Sequence, residues 1–427
     1  MRFSHQTENS SKPPQKGHAD GRSMFVYMCS HRFWLGLFDT VDLTFIRNLF
    51  VHKVIEKVDV LMTVFVPPNT SKLRLHELSA KEEQLSELAL SYGARISFLH
   101  LRGRSLRTLL DTPARINCET KGYGKRFIWA KNYFNCFMGV ISKKRYPDIR
   151  LHFDMSGLVP EEVFYYTHSV SVVKYAAFLA LKVIEKINLR NADTISVVSS
   201  KFKDYIVTQN HISAVKVSIT PVFFDFDRFY INPDLRAEYR ASLGLNEQQK
   251  VILYSGTLLK WQEPQALFAF MKHIQDQDPG HEFRFVVLTF DKERAENYAR
   301  EFQIEDIRIE TASGEELNGY YNATDIGIAL RSNDKVSYFS SPVKIPEYLA
   351  TGNSLITMEH IGDFGRELQN KKYVLVKKSI ADLLVTGIDE VKALVKPQPA
   401  DLEEVMQKYS IKRSIEVIKR IVKQNLG

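Results

Sequence analysis

Short apolar-rich runs of strand length alternate with helical patterns along this chain, and the alternation starts afresh at Lys250. Nothing else in the sequence restricts the fold so strongly. Runs at 24–30 (MFVYMCS), 60–66 (VLMTVFV), 95–101, 149–154 (IRLHFD), 194–199 (TISVVS) and 215–219 have the length and composition of buried strands. Helical patterns at 40–57, 80–92 and 200–209 lie between them, the first after a loop with Gly36 and Asp39, the second closed by Gly93. A polar helix at 232–244 reads as the passage to a second unit. There the strands fall at 250–256 (KVILYSG), 283–289, 307–310, 325–330 (DIGIAL), 354–358 and 373–376, with a helix at 264–275. Such alternation builds parallel sheet with crossover helices, so the sequence predicts an α/β protein of two Rossmann-like doubly wound domains.

A chain of 427 residues exceeds the size at which one core keeps growing, which agrees with two domains. Its three cysteines, Cys29, Cys118 and Cys136, form no CxxC pair, and no His cluster has ligand spacing; a disulfide framework and a structural zinc are not expected, and a reducing cytoplasm fits. No apolar run reaches the roughly 18 residues of a membrane span; the richest segment, 170–184, is interrupted by Lys174 and Lys182. Residues 1–22 are polar, lack a signal-peptide core and are expected to be a disordered leader. The net charge of +8 suits a phosphorylated ligand or an anionic membrane surface. Nucleic acid is not expected as a partner, because no RNP pattern, zinc finger or helix-turn-helix accompanies that charge.

Three basic clusters (Arg102, Arg104, Arg107; Lys121, Lys125, Arg126; Lys143, Lys144, Arg145) read as solvated surface, with a membrane or polyanion face as the alternative. The strand at 149–154 carries His152 and Asp154 in phase near its carboxyl end, where parallel sheets bind ligands. Either is a candidate catalytic group or a satisfied buried polar residue. A last helix at 401–424 places Ile411, Ile415, Ile418 and Val422 on one stripe, for packing on a domain or lying on a membrane.

Residues 340–352 (SSPVKIPEYLATG) read as the opening of a helix suited to an anion and a ribose. Ser341 can cap it, Pro342 suits its first position and Gly352 its stop. Free N–H groups and the helix dipole favour phosphate there, Lys344 adds a full charge, and Glu347 offers two oxygens to a pair of sugar hydroxyls. Pro346 lacks a donor, so the first turn is expected to be loose. Gly256 permits close backbone approach after a strand, Lys260 shares its loop, and Arg331 follows DIGIAL directly. Singly these are a capped surface helix, a turn glycine and a surface arginine. In a doubly wound sheet their loops share one crevice, and jointly they describe a diphosphate site with a ribose clamp.

These stretches resemble a known family. YSGTLLKWQ (254–262), ATDIGIALR (323–331), then SSPVKIPEYLATG followed by LIT and IGD (361–363) are similar to the donor-binding domain of the family 4 retaining glycosyltransferases. Those enzymes have two Rossmann-like domains facing across a cleft, the GT-B type. Order and spacing hold over 250–363, and LHFDMSGLVPEE (151–162) is a weaker match to an acceptor-domain segment with a D-R-G motif before a Glu pair. The resemblance implies an acceptor-side domain at 23–225, a nucleotide-sugar-binding domain at 226–400 and a helix at 401–427 packing back on the first. It gives Glu347 the ribose, Lys260 and Arg331 the diphosphate, and the backbone from Ser341 through Pro342 and Val343 to Lys344 the phosphate and sugar, with Gly256 and Thr257 in the adjoining loop.

Three positions depart from that pattern. Phe339 stands where Glu-x7-Glu members place a first acid, Thr257 where many have arginine, and Ser156 where the D-R-G segment has its arginine. The implied activity is transfer of a sugar, with retention, from a nucleoside-diphosphate-sugar to a glycan or lipid-linked acceptor in cell-surface polysaccharide or glycolipid biosynthesis. Cationic groups and helix N–H groups would stabilise the leaving diphosphate, with no metal or cofactor, and Asp154 or His152 would orient hydroxyls beside Lys260. The expected location is cytoplasmic, peripheral on the inner face of the membrane through the basic first domain. A non-catalytic nucleotide- or glycan-binding relative, motivated by Phe339 and Ser156, and a sugar-nucleotide epimerase are the competing readings.

Overall fold

The computed structural model describes residues 21–427 except 33–37, 103–104, 165–170, 222–226, 313 and 315. The expected leader, Gly36 and Arg104 lie outside the described residues, apart from the leader's last two positions. The first sheet comprises β1 (Ser23–Arg32), β2 (Asp59–Phe65), β3 (Ile96–Leu101), β4 (Lys125–Lys131), β5 (Ile149–Met155), β6 (Thr194–Val197) and β7 (Val217–Ile219), in the order β3-β2-β1-β4-β5-β6-β7. The second comprises β8 (Lys250–Ser255), β9 (Phe283–Leu288), β10 (Ile307–Glu310), β11 (Ile326–Ala329), β12 (Ser354–Met358) and β13 (Val374–Lys377), in the order β10-β9-β8-β11-β12-β13. Its neighbours all pair in parallel, for example Ile252 with Phe285 and Ile328 with Ile356. Both orders are doubly wound, as the alternation predicts.

Contact density divides the chain into two compact units, the last two residues aside. One holds the chain up to Trp129 with Ile141–Arg150; the other holds Ala130–Val140 and Leu151–Asn425. In the first, Phe25, Tyr27, Phe45, Phe127 and Trp129 form a buried aromatic cluster, with Tyr27 and Phe45 stacked at 5.0 Å. The second contains β5 from Leu151 on, β6, β7 and the whole second sheet, with a core that runs from Phe229 to Tyr409.

Several expectations need correction. The helical pattern at 40–57 is a π-helical turn, Phe38–Leu43, followed by a helix over only Thr44–Val51, ended by left-handed Lys53 and Lys57. The charged helix starts earlier than expected, at Lys72, because Ser71 Oγ caps it through the Arg74 N–H. The basic stretch expected to be surface contains β4 and the helix Tyr133–Arg145. Arg126 is buried there, held by the Asp148 carboxylate and by Asn117 Oδ1 at 2.7 Å, so a charge inside β4 conceals its apolar centre FIWA. The single C-terminal helix is two, Pro399–Tyr409 and Ile411–Leu426, because extended Ser410 caps the second. Ile415, Ile418 and Val422 of its stripe are buried rather than laid on a membrane. Asn425 Nδ2 donates to Thr194 Oγ1 of β6 at 3.2 Å.

Candidate functional site

Strand order in the second sheet reverses between β8 and β11, whose carboxyl ends therefore open a crevice of the kind that binds ligands in parallel sheets. Gly256 follows β8 and Arg331 lies just beyond β11. Gly256 has φ 144°, and a Cβ added there would lie 2.9 Å from Lys344 Nζ, so the glycine leaves room for that ammonium group. Lys344 is only 8% exposed. Its Nζ donates to Gln262 Oε1 at 3.2 Å and stands 4.4 Å from the centre of the Tyr254 ring. Burial, then the positive charge of Arg331, hold the ammonium well below the ordinary lysine range.

Arg331 is the second cation. Burial lowers its pKa too, but a guanidinium stays charged in a protein. Its Nη1 is buried without a hydrogen-bond partner. A buried ammonium thus feels the charge of a half-buried guanidinium that has one buried, unsatisfied donor, which is an arrangement an anion would complete.

Glu347 stands one helical turn beyond Lys344. Burial pushes its carboxyl up to about 7, against the Tyr321 hydroxyl, which donates to Oε2 at 3.2 Å, and the charges of Arg228 and Lys344. The Tyr348 hydroxyl accepts from the Ser255 N–H at 2.9 Å and fastens this helix to the end of β8. Its rigid position makes the carboxylate a fixed acceptor for a diol.

The helix start differs from the expected one. It spans Lys344–Ala350, with Val343 at the cap position and no side-chain cap, so Ser341 does not cap it and Pro342 is not its first residue. Pro346 is the reason: starting at Lys344 puts that proline in the first turn, where its missing N–H costs nothing. Gly352 does end it, at φ 80°. Lys260 is exposed at the start of the short turn Lys260–Gln262, whose last residue reaches Lys344. Thr257 is exposed and contributes its carbonyl to the Tyr254 hydroxyl at 2.6 Å. Ser341 faces a different hollow, shared with Ser199, Ser200 and Asp363. Among the described residues no group of His, Cys, Asp and Glu is arranged to hold a metal ion.

Phe339 is buried, 5.3 Å from the Phe202 ring and 4.9 Å from that of Tyr205. Its carbonyl accepts from Ser199 Oγ at 2.9 Å, while the Asp363 carboxylate accepts from the Ser200 N–H and hydroxyl, each at 2.6 Å. An apolar ring at position 339 therefore packs on the helix Ser200–Gln209.

On β5 the two candidates separate. His152 is fully buried, with Nδ1 at 2.9 Å from Thr194 Oγ1 and Nε2 at 2.9 Å from Ser196 Oγ, and burial lowers its pKa to about 3. That is the satisfied buried polar residue, and a catalytic role for it is set aside. Asp154 is half-buried at the strand end, where Oδ1 accepts from Ser196 Oγ at 3.3 Å and Ser156 Oγ at 3.4 Å. A histidine whose folded pKa lies below its unfolded value stabilises the fold above the unfolded pKa, and that contribution is lost as pH falls. The contribution of His152 should therefore be lost as pH falls from about 6.5 toward 3, and His152→Gln should remove that component of the pH dependence in urea unfolding. An unchanged pH profile in the variant would rule this out.

Tyr254, Gln262 and Tyr321 were not singled out by the sequence. Tyr254 reads only as part of a buried strand, and no spacing marks Tyr321.

The sequence matches no protein-family model and no curated protein. Solved structures do share its fold. HepE of Anabaena, in complex with UDP and glucose, superposes with a TM-score of 0.63 at 12% identity, over 94% of this chain and 99% of that one. A glycosyltransferase from Rickettsia africae gives 0.65 at 12% identity, over 95% and 99%. WaaG, a glycosyltransferase involved in lipopolysaccharide biosynthesis, gives 0.60 at 12%, over 95% and 100%. The fold is that of the two-Rossmann-domain, GT-B, glycosyltransferases.

Proposed function

We propose that this chain is a glycosyltransferase that moves a sugar, with retention, from a nucleoside-diphosphate-sugar to a glycan or lipid-linked acceptor in cell-surface polysaccharide or glycolipid synthesis. The observation that carries the reading is the buried Lys344 ammonium beside Gly256, which feels the charge of Arg331, whose Nη1 is buried and unpaired. The bound UDP of HepE and the lipopolysaccharide role of WaaG support the ligand and product classes.

In this reading the diphosphate lies against Lys344 and Arg331, with exposed Lys260 reaching it from the loop and Glu347 accepting from the ribose hydroxyls. Gly256, Thr257 and the backbone of Pro342 and Val343 line the approach. As the bond from the sugar's anomeric carbon to the phosphate oxygen breaks, negative charge grows on that oxygen, and the fixed cations favour this state over the ground state. The acceptor hydroxyl attacks from the same face, and its proton passes to the departing phosphate. Asp154 orients a hydroxyl of donor or acceptor. No cofactor or metal enters this scheme. The protein works in the cytoplasm at the inner face of the membrane.

Phe339 favours one second reading: without an acid at that position the chain binds a nucleotide sugar and does not turn it over. A thermal-shift screen of UDP-, GDP- and ADP-sugars tests binding, since a ligand at about 100 times its Kd should stabilise the protein by roughly 2.7 kcal/mol. Product analysis with and without acceptor then separates transfer from mere binding and from epimerisation. No shift with any sugar nucleotide would overturn both readings.

A further inference from the structure

A hollow of about 600 Å³ has none of Gly256, Arg331, Lys344 and Glu347 in its lining and is separate from the crevice described above. Its volume is that of a small-molecule site. Five cations line it, and four helices supply them: Lys203 from Ser200–Gln209, Arg366 from Phe364–Glu367, Lys408 from Pro399–Tyr409, and Arg413 with Arg420 from Ile411–Leu426. Its two acids are both engaged. The Asp363 carboxylate accepts from the Ser200 N–H and hydroxyl, and that of Glu367 from the Tyr409 hydroxyl and Lys408 Nζ. Among the described residues the other four cations have no carboxylate within ion-pair distance.

A solvated surface intersperses charges of both signs, and this lining does not. Residues 413, 417 and 420 recur at helical spacing on one face, so two exposed arginines flank Val417, which is buried. Glu416, the one acid of that helix, is absent from the lining and pairs with Lys419 at 3.2 Å. Val217 of β7 and Phe364 also line the hollow and are buried, so packed elements fix the backbones that carry the charges. Like charges held together in this way repel until an anion joins them. The net charge of the lining is +3, which an ionised diphosphate balances, and guanidinium groups grip phosphate oxygens two at a time. A flat bilayer meets only the rim of such a hollow, whereas a compact anion of high charge fills it.

We propose that this hollow is a second anion site, which binds a small molecule through a diphosphate group. The inference is independent of the sugar-transfer reading, since no residue given to the donor diphosphate or the ribose takes part in it.

Inorganic diphosphate, titrated calorimetrically into the full chain, is the probe. Because it also suits the crevice at Lys344, the titration is made in Lys344→Met, where diphosphate should still bind. Adding Arg413→Gln with Arg420→Gln to that background should weaken binding at least about tenfold, with the melting temperature of the free protein unchanged or raised. Lys203→Gln with Arg366→Gln, on two other helices, should weaken it likewise. No binding to Lys344→Met, or binding there that neither pair of substitutions weakens, would overturn the proposal. So would flotation with phosphatidylglycerol vesicles that needs Arg413 and Arg420 in a chain that does not bind diphosphate, which would make these arginines a membrane contact.

Discussion

Lys344→Met should leave the free protein as stable as before, or more so, while abolishing its response to a nucleoside diphosphate. The native ammonium is buried, is held below its usual pKa by that burial and by Arg331, and has an amide oxygen and an aromatic face as its contacts. Removing a buried charge that Glu347 offsets only in part relieves a desolvation cost, and methionine nearly fills the same volume. The bound state behaves in the opposite way, because a buried phosphate that loses its cation is left uncompensated. The expected loss is about 3–5 kcal/mol, two to three orders of magnitude or more in affinity and transfer rate. Calorimetric melting with and without UDP or the best ligand of the screen measures both effects. A variant that melts lower yet still responds to ligand would show that Lys344 serves the fold and not the anion.

Much of this site was legible because its chemistry depends on residue type at a strand end. Gly256, Arg331, Lys344 and Glu347 each follow a recognisable apolar strand or open a helix, and the sheet order brings those ends together. Strands at 307–310 and 354–358 coincide with β10 and β12: IRIE alternates apolar and charged residues, and SLITM is a short apolar-rich run between turns. The aromatic bed was not legible. Tyr254 and Tyr321 look like any core residue until the fold sets one beneath Lys344 and the other against Glu347. β4 was hidden by buried Arg126, whose carboxylate partner lies on a separate segment at Asp148. His152 shows the converse case: its phase with Asp154 is real, but a partner for each ring nitrogen comes from β6, a strand that periodicity alone cannot place beside it.

Donor affinity should rise about tenfold between pH 6 and pH 8, and Glu347→Gln should bind more weakly with that rise gone. In the free protein the carboxyl titrates at about 7 because burial outweighs the Tyr321 hydrogen bond and the positive charges of Arg228 and Lys344. Ribose hydroxyls donate to the ionised form, so at pH 6 roughly nine molecules in ten must first lose a proton. The effect on stability has the opposite sign. A carboxyl whose folded pKa exceeds its unfolded value of 4.5 binds more protons when folded, so the contribution of this group to stability is lost as pH rises from 4.5 to about 7, and no more above that, against the opposite contribution of His152. The shift corresponds to at most about 3 kcal/mol, and Glu347→Gln should exceed the native chain in stability by up to that amount at pH 8 but not at pH 4.5. Lys344 opposes the affinity trend, since its depressed pKa makes it shed its proton as pH climbs, which weakens phosphate binding and gives the full profile a falling alkaline limb. A sugar nucleotide whose phosphates do not titrate in this range isolates the two protein groups. Affinity that is flat from pH 6 to pH 8 in the native chain, or that keeps its rise in Glu347→Gln, would remove Glu347 from the ribose.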